Sequence, residues 1–202
     1  TPNFVEERIN ATRAQVVDSG VIPEVQDLLF PSQDPPAETI SNQALETASV
    51  SVVQIWGAAE ACSYSSEGSG FVADSHLVVT NAHVVSGVAQ PVIKANNGKT
   101  YTADVVYFNE DEDIALLRAD NLDLAPLTIG ANVDSGTMVS FMGFPKGGPF
   151  KNRTGMVQGL GYTQTVDAAT GENNPVRLVY QMAAHVEQGN SGGPVLDKNG
   201  KV

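Results

Sequence analysis

Thiol chemistry is nearly absent from this sequence, because Cys62 is the only cysteine among 202 residues. One thiol cannot close a disulfide within the chain, and cysteine-cluster zinc sites are excluded. The residue alone reads either as a buried free thiol or as half of a disulfide whose partner lies outside the given sequence. Positive charge is also scarce: 11 Lys and Arg stand against 23 Asp and Glu, a formal net charge of −12. A surface this acidic repels phosphate backbones and anionic lipid, so neither nucleic acid nor a lipid surface is expected as a partner. Long apolar runs are missing, and no stretch approaches the roughly 18 residues of a membrane span. The opening residues, with Glu6 and Glu7, lack the basic start of a signal peptide. Any targeting or anchoring segment is therefore expected to have been removed, or to lie upstream of Thr1.

What is present is ordinary globular material, 42% hydrophobic and 17% charged. Such a chain can bury a sizeable core as one domain or two small ones. Residues 1–47 read as a leader. Phe4, Val5, Ile9, Val16 and Val17 recur at helical spacing. A second short helix starts at Pro23 and runs through Val25, Leu28 and Leu29. Pro31-Ser32-Gln33-Asp34-Pro35-Pro36 then reads as an extended linker.

From Ala48 the pattern turns to β. Short apolar or alternating runs fall at 49–56, 69–73, 76–80, 91–95, 100–108 and 114–118, separated by turns such as Asp74-Ser75 and Asn97-Gly98. A second set falls at 137–143, 153–164, 176–183 and 193–197, with Lys201-Val202 opening another. The expected fold is all-β: two consecutive antiparallel six-stranded barrels, about 48–125 and 126–202. The second set breaks off after the Asp197-Lys198-Asn199-Gly200 turn and so reads as truncated.

Chemistry concentrates in Gly189-Asn190-Ser191-Gly192-Gly193-Pro194. A serine hydroxyl is a poor nucleophile until a base takes its proton and backbone donors receive the oxyanion. Glycines here let the N–H groups of Gly189 and Ser191 converge on one point, with Asn190 between them. The same letters fit a Gly-x-Ser-x-Gly nucleophile elbow, but that fold places its acid and histidine after the serine. All three histidines, His76, His83 and His185, lie upstream of Ser191, so the elbow reading fails.

His83 follows a β run that ends at Thr80, which puts its imidazole at a strand end where a general base belongs. His76 sits in a hairpin turn and reads as idle. His185 and Gln188, just before the serine, are candidates to line a substrate cleft. The base needs a carboxylate to fix its tautomer. Asp113 opens Asp113-Ile114-Ala115-Leu116-Leu117 and is held at the core's edge, whereas Glu110, Asp111 and Glu112 read as solvated.

Thr80-Asn81-Ala82-His83, Asp113-Ile114-Ala115-Leu116-Leu117 and the serine hexapeptide together resemble the triad motifs of chymotrypsin-fold serine peptidases, the HtrA-like branch above all. Gly68-Ser69-Gly70-Phe71-Val72 resembles the strand that precedes the histidine in that branch. Gly143-Phe144-Pro145 and Val186-Glu187-Gln188-Gly189-Asn190-Ser191 are similar to actinobacterial periplasmic serine proteases of the mycobacterial acid-resistance type, tethered through a colicin V production-type membrane domain.

The resemblance implies that Ser191 attacks the scissile carbonyl, His83 acts as base and then acid, and Asp113 orients His83. Gly189, Asn190 and Ser191 would frame the oxyanion hole. It further implies a polypeptide substrate, no metal or organic cofactor, an extracytoplasmic location, and a disulfide from Cys62 to a later cysteine. Pancreatic-type relatives carry aspartate where this chain has Asn190, which cannot pair with a freed N-terminal amine. Activity is therefore expected not to need one. The remaining rivals are an esterase using the same three residues and a non-catalytic, peptide-binding module.

Overall fold

The computed structural model describes residues 33–37, 39–58, 65–164 and 175–202. The leader helices and Cys62 fall outside the described residues. Two compact units are distinguished. The larger spans Leu29–Leu160 with Tyr180–Val202; of the smaller, 161–164 and 175–179 are described.

Eleven strands, two short α-helices and one 3₁₀ turn (Pro145–Gly147) follow one another among the described residues. Helix α1 is Gln43–Ser49, followed by β1 (Val52–Ala58), β2 (Ser65–Asp74) and β3 (Leu77–Thr80). A single-turn helix, α2 (Ala82–Val85), precedes β4 (Val92–Ala95), β5 (Thr100–Thr102), β6 (Asp104–Asn109) and β7 (Ile114–Arg118). These strands form one sheet in the order β5-β4-β1-β2-β3-β7-β6. The second sheet holds β8 (Met138–Gly143), β9 (Lys151–Thr163), β10 (Arg177–Ala183) and β11 (Val195–Leu196), in the order β10-β9-β8-β11. All-β architecture and almost every expected strand are therefore present. The run expected as one strand at 100–108 is two strands, because the chain changes partners at Ala103: Thr100–Thr102 pairs with β4 and Asp104–Asn109 with β7.

Successive side chains on a strand point to opposite faces, and β1 and β2 use both. Val53, Ile55 and Val72 enter one apolar cluster with Val78, Ile93 and Leu117. Their neighbours Val52 and Phe71 enter a second cluster with Leu127, Met142, Phe144 and Leu196. The pairs Val52↔Phe71, Gln54↔Ser69 and Trp56↔Glu67 share a register. On the face that carries Val52 and Phe71, Ser69 and Glu67 follow along β2 and reach the second sheet's loops.

Helix α1 belongs to this second cluster through Leu45 and Ala48. Asn42 caps it by accepting from Leu45 N at 3.0 Å, and the Ile40 N–H donates to Thr154 Oγ1 at 2.7 Å. The leader boundary expected after residue 47 thus falls inside a helix whose Leu45 is 1% exposed. Sequence periodicity missed it because seven residues give barely two turns of signal.

Candidate active site

Antiparallel pairing of β3 with β7 sets Thr80 opposite Ala115. His83, three residues past Thr80, and Asp113, two before Ala115, therefore leave adjacent strands at the same end. Val84 and Val85 are buried and pin α2, so that His83 faces outward. His83 Nδ1 lies 3.0 and 2.9 Å from the two Asp113 carboxylate oxygens, and the His83 backbone N–H donates to Asp113 Oδ1 at 3.0 Å.

Asp113 takes a left-handed backbone, φ 52°, a conformation that costs a non-glycine residue ~1 kcal/mol or more. Two hydrogen bonds brace it: Asn81 Nδ2 donates to its carbonyl at 2.7 Å, and its own N–H donates to Glu110 O at 3.1 Å. An ionised Asp113 selects the tautomer with the proton on Nδ1, which leaves the Nε2 lone pair free to accept a proton.

Ser191 is brought to this pair by backbone packing. A Cβ on Gly68 would meet both Val84, next to His83, and Ser191 O, at 2.7 and 3.1 Å. Gly192, at φ +81°, lies so close that a Cβ would sit 2.3 Å from Thr80 Oγ1 and 3.0 Å from Asn81 N. The half-buried Ser191 hydroxyl makes no hydrogen bond to His83 among the described residues.

The turn 188–191 is anchored peptide by peptide. Gln188 O accepts from Lys146 N at 2.7 Å, Gly189 O from Ser69 Oγ at 2.7 Å, and Asn190 O from Gly193 N at 2.9 Å. In a trans peptide the C=O and N–H point opposite ways, so each anchor also aims the next N–H. Asn190 N–H is consumed by Glu187 O at 3.1 Å. The N–H groups of Gly189 and Ser191 carry no hydrogen bond among the described residues. The pair available for an oxyanion is thus Gly189 and Ser191, and the Asn190 N–H is not part of it.

Ser69 is fully buried and ties the parts together. Its N–H donates to Ser191 O at 2.8 Å, its hydroxyl accepts from Phe144 N at 2.9 Å, and its carbonyl accepts from Thr80 Oγ1 at 2.7 Å. Glu187 bridges Arg153 Nη2 at 2.5 Å and Lys146 Nζ at 3.1 Å. The Lys146 ammonium, helped by Arg153, holds the Glu187 carboxyl below the ordinary carboxylate range. Sequence reasoning found the Ser69 segment by resemblance but assigned no role to Glu187, Lys146 or Arg153. Their partners lie far away in the chain, and no local pattern marks them.

His185 and Gln188 are both exposed, and no described contact joins either side chain to the His83–Asp113 pair. His76 is exposed in the β2–β3 turn. Among the described residues no cluster of three or more His, Cys, Asp or Glu is placed to hold a metal ion. No helix among them is long and apolar enough to cross a membrane.

Comparison with known proteins identifies the family and the fold. Residues 68–202 match the family described as the trypsin-like peptidase domain. The chain is 35% identical over 176 residues to serine protease Rv3671c of Mycobacterium tuberculosis, which covers 86% of this chain and 44% of that protein. It is 38% identical over 140 residues to the chloroplastic Protease Do-like 1 of Arabidopsis thaliana, covering 67% of this chain and 31% of that one. The active-form crystal structure of Rv3671c superposes with a TM-score of 0.79 at 33% identity, over 90% of this chain and 80% of that one. The chain thus spans less than half the length of these curated relatives.

Proposed function

This chain belongs to the trypsin-like peptidase family, HtrA-like in type, and from that premise we propose that it is a serine endopeptidase using His83, Asp113 and Ser191. His83 Nε2 takes the Ser191 hydroxyl proton as Oγ bonds to the scissile carbonyl carbon. The carbonyl oxygen becomes an oxyanion that accepts from the Gly189 and Ser191 N–H groups. Collapse breaks the C–N bond, the amine leaves with the proton from His83, and an acyl-Ser191 ester remains. Water, deprotonated by His83, then releases the acid and restores the serine. Asp113 keeps Nδ1 protonated throughout and stabilises the imidazolium.

One observation carries this reading: the N–H groups of Gly189 and Ser191 carry no hydrogen bond among the described residues, while the carbonyls of Gln188, Gly189 and Asn190 are tied down. The intact His83–Asp113 pair beside them suits a catalyst better than a module that only grips peptides. Polypeptide is the expected substrate, and the −12 charge disfavours nucleic acid. The same reading puts the protein outside the cytoplasm, in envelope protein processing or stress response. Support for that comes from the resemblance of Gly143-Phe144-Pro145 and 186–191 to membrane-tethered periplasmic proteases.

A fluorophosphonate probe tests the chemistry. The folded chain is expected to label, Ser191→Ala to abolish labelling, and peptide hydrolysis to fall by at least ~10⁴-fold. A folded, unlabelled wild-type chain would instead favour the peptide-binding module.

A further inference from the structure

We propose that Glu187 is a positioning residue, whose carboxylate holds the oxyanion turn so that the Gly189 N–H stays aimed at the carbonyl under attack. This rests on the peptidase reading and deepens it. The direction of the Gly189 N–H is set by where the Gln188 carbonyl goes, since both belong to one trans peptide. Among the described residues, that carbonyl is held by the backbone N–H of Lys146. Lys146 sits within a 3₁₀ turn, Pro145–Gly147, at φ 55°. A left-handed lysine persists only where its surroundings hold it.

Glu187 reaches both this lysine and the serine loop. Its carboxylate contacts Lys146 Nζ at 3.1 Å, while its own carbonyl accepts the Asn190 N–H at 3.1 Å. The turn and the loop that carries the nucleophile are thereby closed on each other. Arg153 supplies the fixed end. It lies on β9 in register with Phe141 of β8, and its Nη2 meets Glu187 at 2.5 Å. Arg153 Nε is buried without a partner, and among the described residues Glu187 is the one carboxylate touching this guanidinium. An exposed lysine contact contributes little by itself, and the Lys146 side chain is 74% exposed. The pair with the least solvent competition is Arg153–Glu187, so most of the positioning runs through it.

Two-parameter fluorophosphonate kinetics decide the matter, with kinact reporting oxyanion stabilisation and KI reporting probe binding. Glu187→Gln is expected to lower kinact about tenfold while KI stays within about twofold, an intermediate loss because no oxyanion donor is itself deleted. Arg153→Gln is expected to do the same. The double variant should be no slower than either single, the non-additivity of two groups acting as one. Glu187→Asp, shorter but still charged, should recover part of the rate. If Glu187→Gln does not fold, Arg153→Gln carries the test, with melting temperature measured beside it. An unchanged kinact in a labelled, folded variant would overturn the inference, as would additive losses or a loss confined to KI. Folded wild-type chain that never labels would overturn the peptidase reading and this inference with it.

Discussion

At the scale of single residues, hydrogen bonds around the candidate site hold its backbone in place. Ser69 shows this. Its hydroxyl donates to Gly189 O and accepts from Phe144 N, both inside the protein. Ser69→Ala removes little volume but orphans both groups, and each unsatisfied buried polar group costs ~1–3 kcal/mol. Ser69→Ala should therefore lower stability by about 2 kcal/mol or more, read by urea unfolding. Because the freed Gly189 carbonyl also loosens the peptide between the two proposed oxyanion donors, fluorophosphonate labelling should slow about tenfold. Stability loss with unaltered labelling would confine Ser69 to a packing role. The letters Gly-Ser-Gly do not disclose this. The Gly189 carbonyl that the hydroxyl holds is 120 residues away, whereas His83 and Asp113 were legible because each stands beside an apolar strand run.

Elements were legible where turn chemistry bounds them. Strands β3 and β4 lie within a residue or so of their expected ends, because Asp74-Ser75 and Asn97-Gly98 stop the runs. Helix α1, too short to show in the periodicity, is held by contacts with distant turns. One of these is the Asp197–Lys201 turn: Lys198 O accepts from Asn42 Nδ2 at 2.9 Å, and Gly200 packs against Ala44 O. Asp197 builds that turn by accepting from Asn199 N at 2.8 Å and Lys201 N at 2.9 Å. Burial pushes its carboxyl upward, but the N–H donors of Lys201 and Asn199 and the Asn199 side chain outweigh burial and leave it below the ordinary value of 3.8. A depressed folded-state pKa contributes stability above the unfolded value and loses it as pH falls through the folded one. Asp197→Asn should thus melt lower than wild type at neutral pH, and the gap between the two curves should narrow as pH drops below about 4. A gap that is constant from neutral pH to pH 3 would show that the Asp197 charge plays no part in holding the turn.

For the whole molecule, the question is what makes the two sheets hold a common site. Cluster membership gives a physical answer. Val53, Val72, Val78 and Leu117 bury within the first sheet alone. The second cluster joins Val52 and Phe71 of that sheet to Met142 and Leu196 of the other, with Leu45 of α1 fully inside and Phe144 beside the oxyanion turn. Truncating Leu45 or Leu117 to alanine deletes similar apolar volume from a fully buried position, so each should cost ~2–5 kcal/mol. Their effects on chemistry should differ. Leu117→Ala leaves a cavity behind β3 and β7, whereas Leu45→Ala loosens the packing under Phe144, whose N–H Ser69 receives. At a temperature where both variants remain folded, Leu45→Ala should slow fluorophosphonate labelling more than Leu117→Ala at matched loss of stability. Equal slowing would mean that the site senses global stability only, and that the apolar cluster shared by the sheets does not itself align the serine with the His83–Asp113 pair.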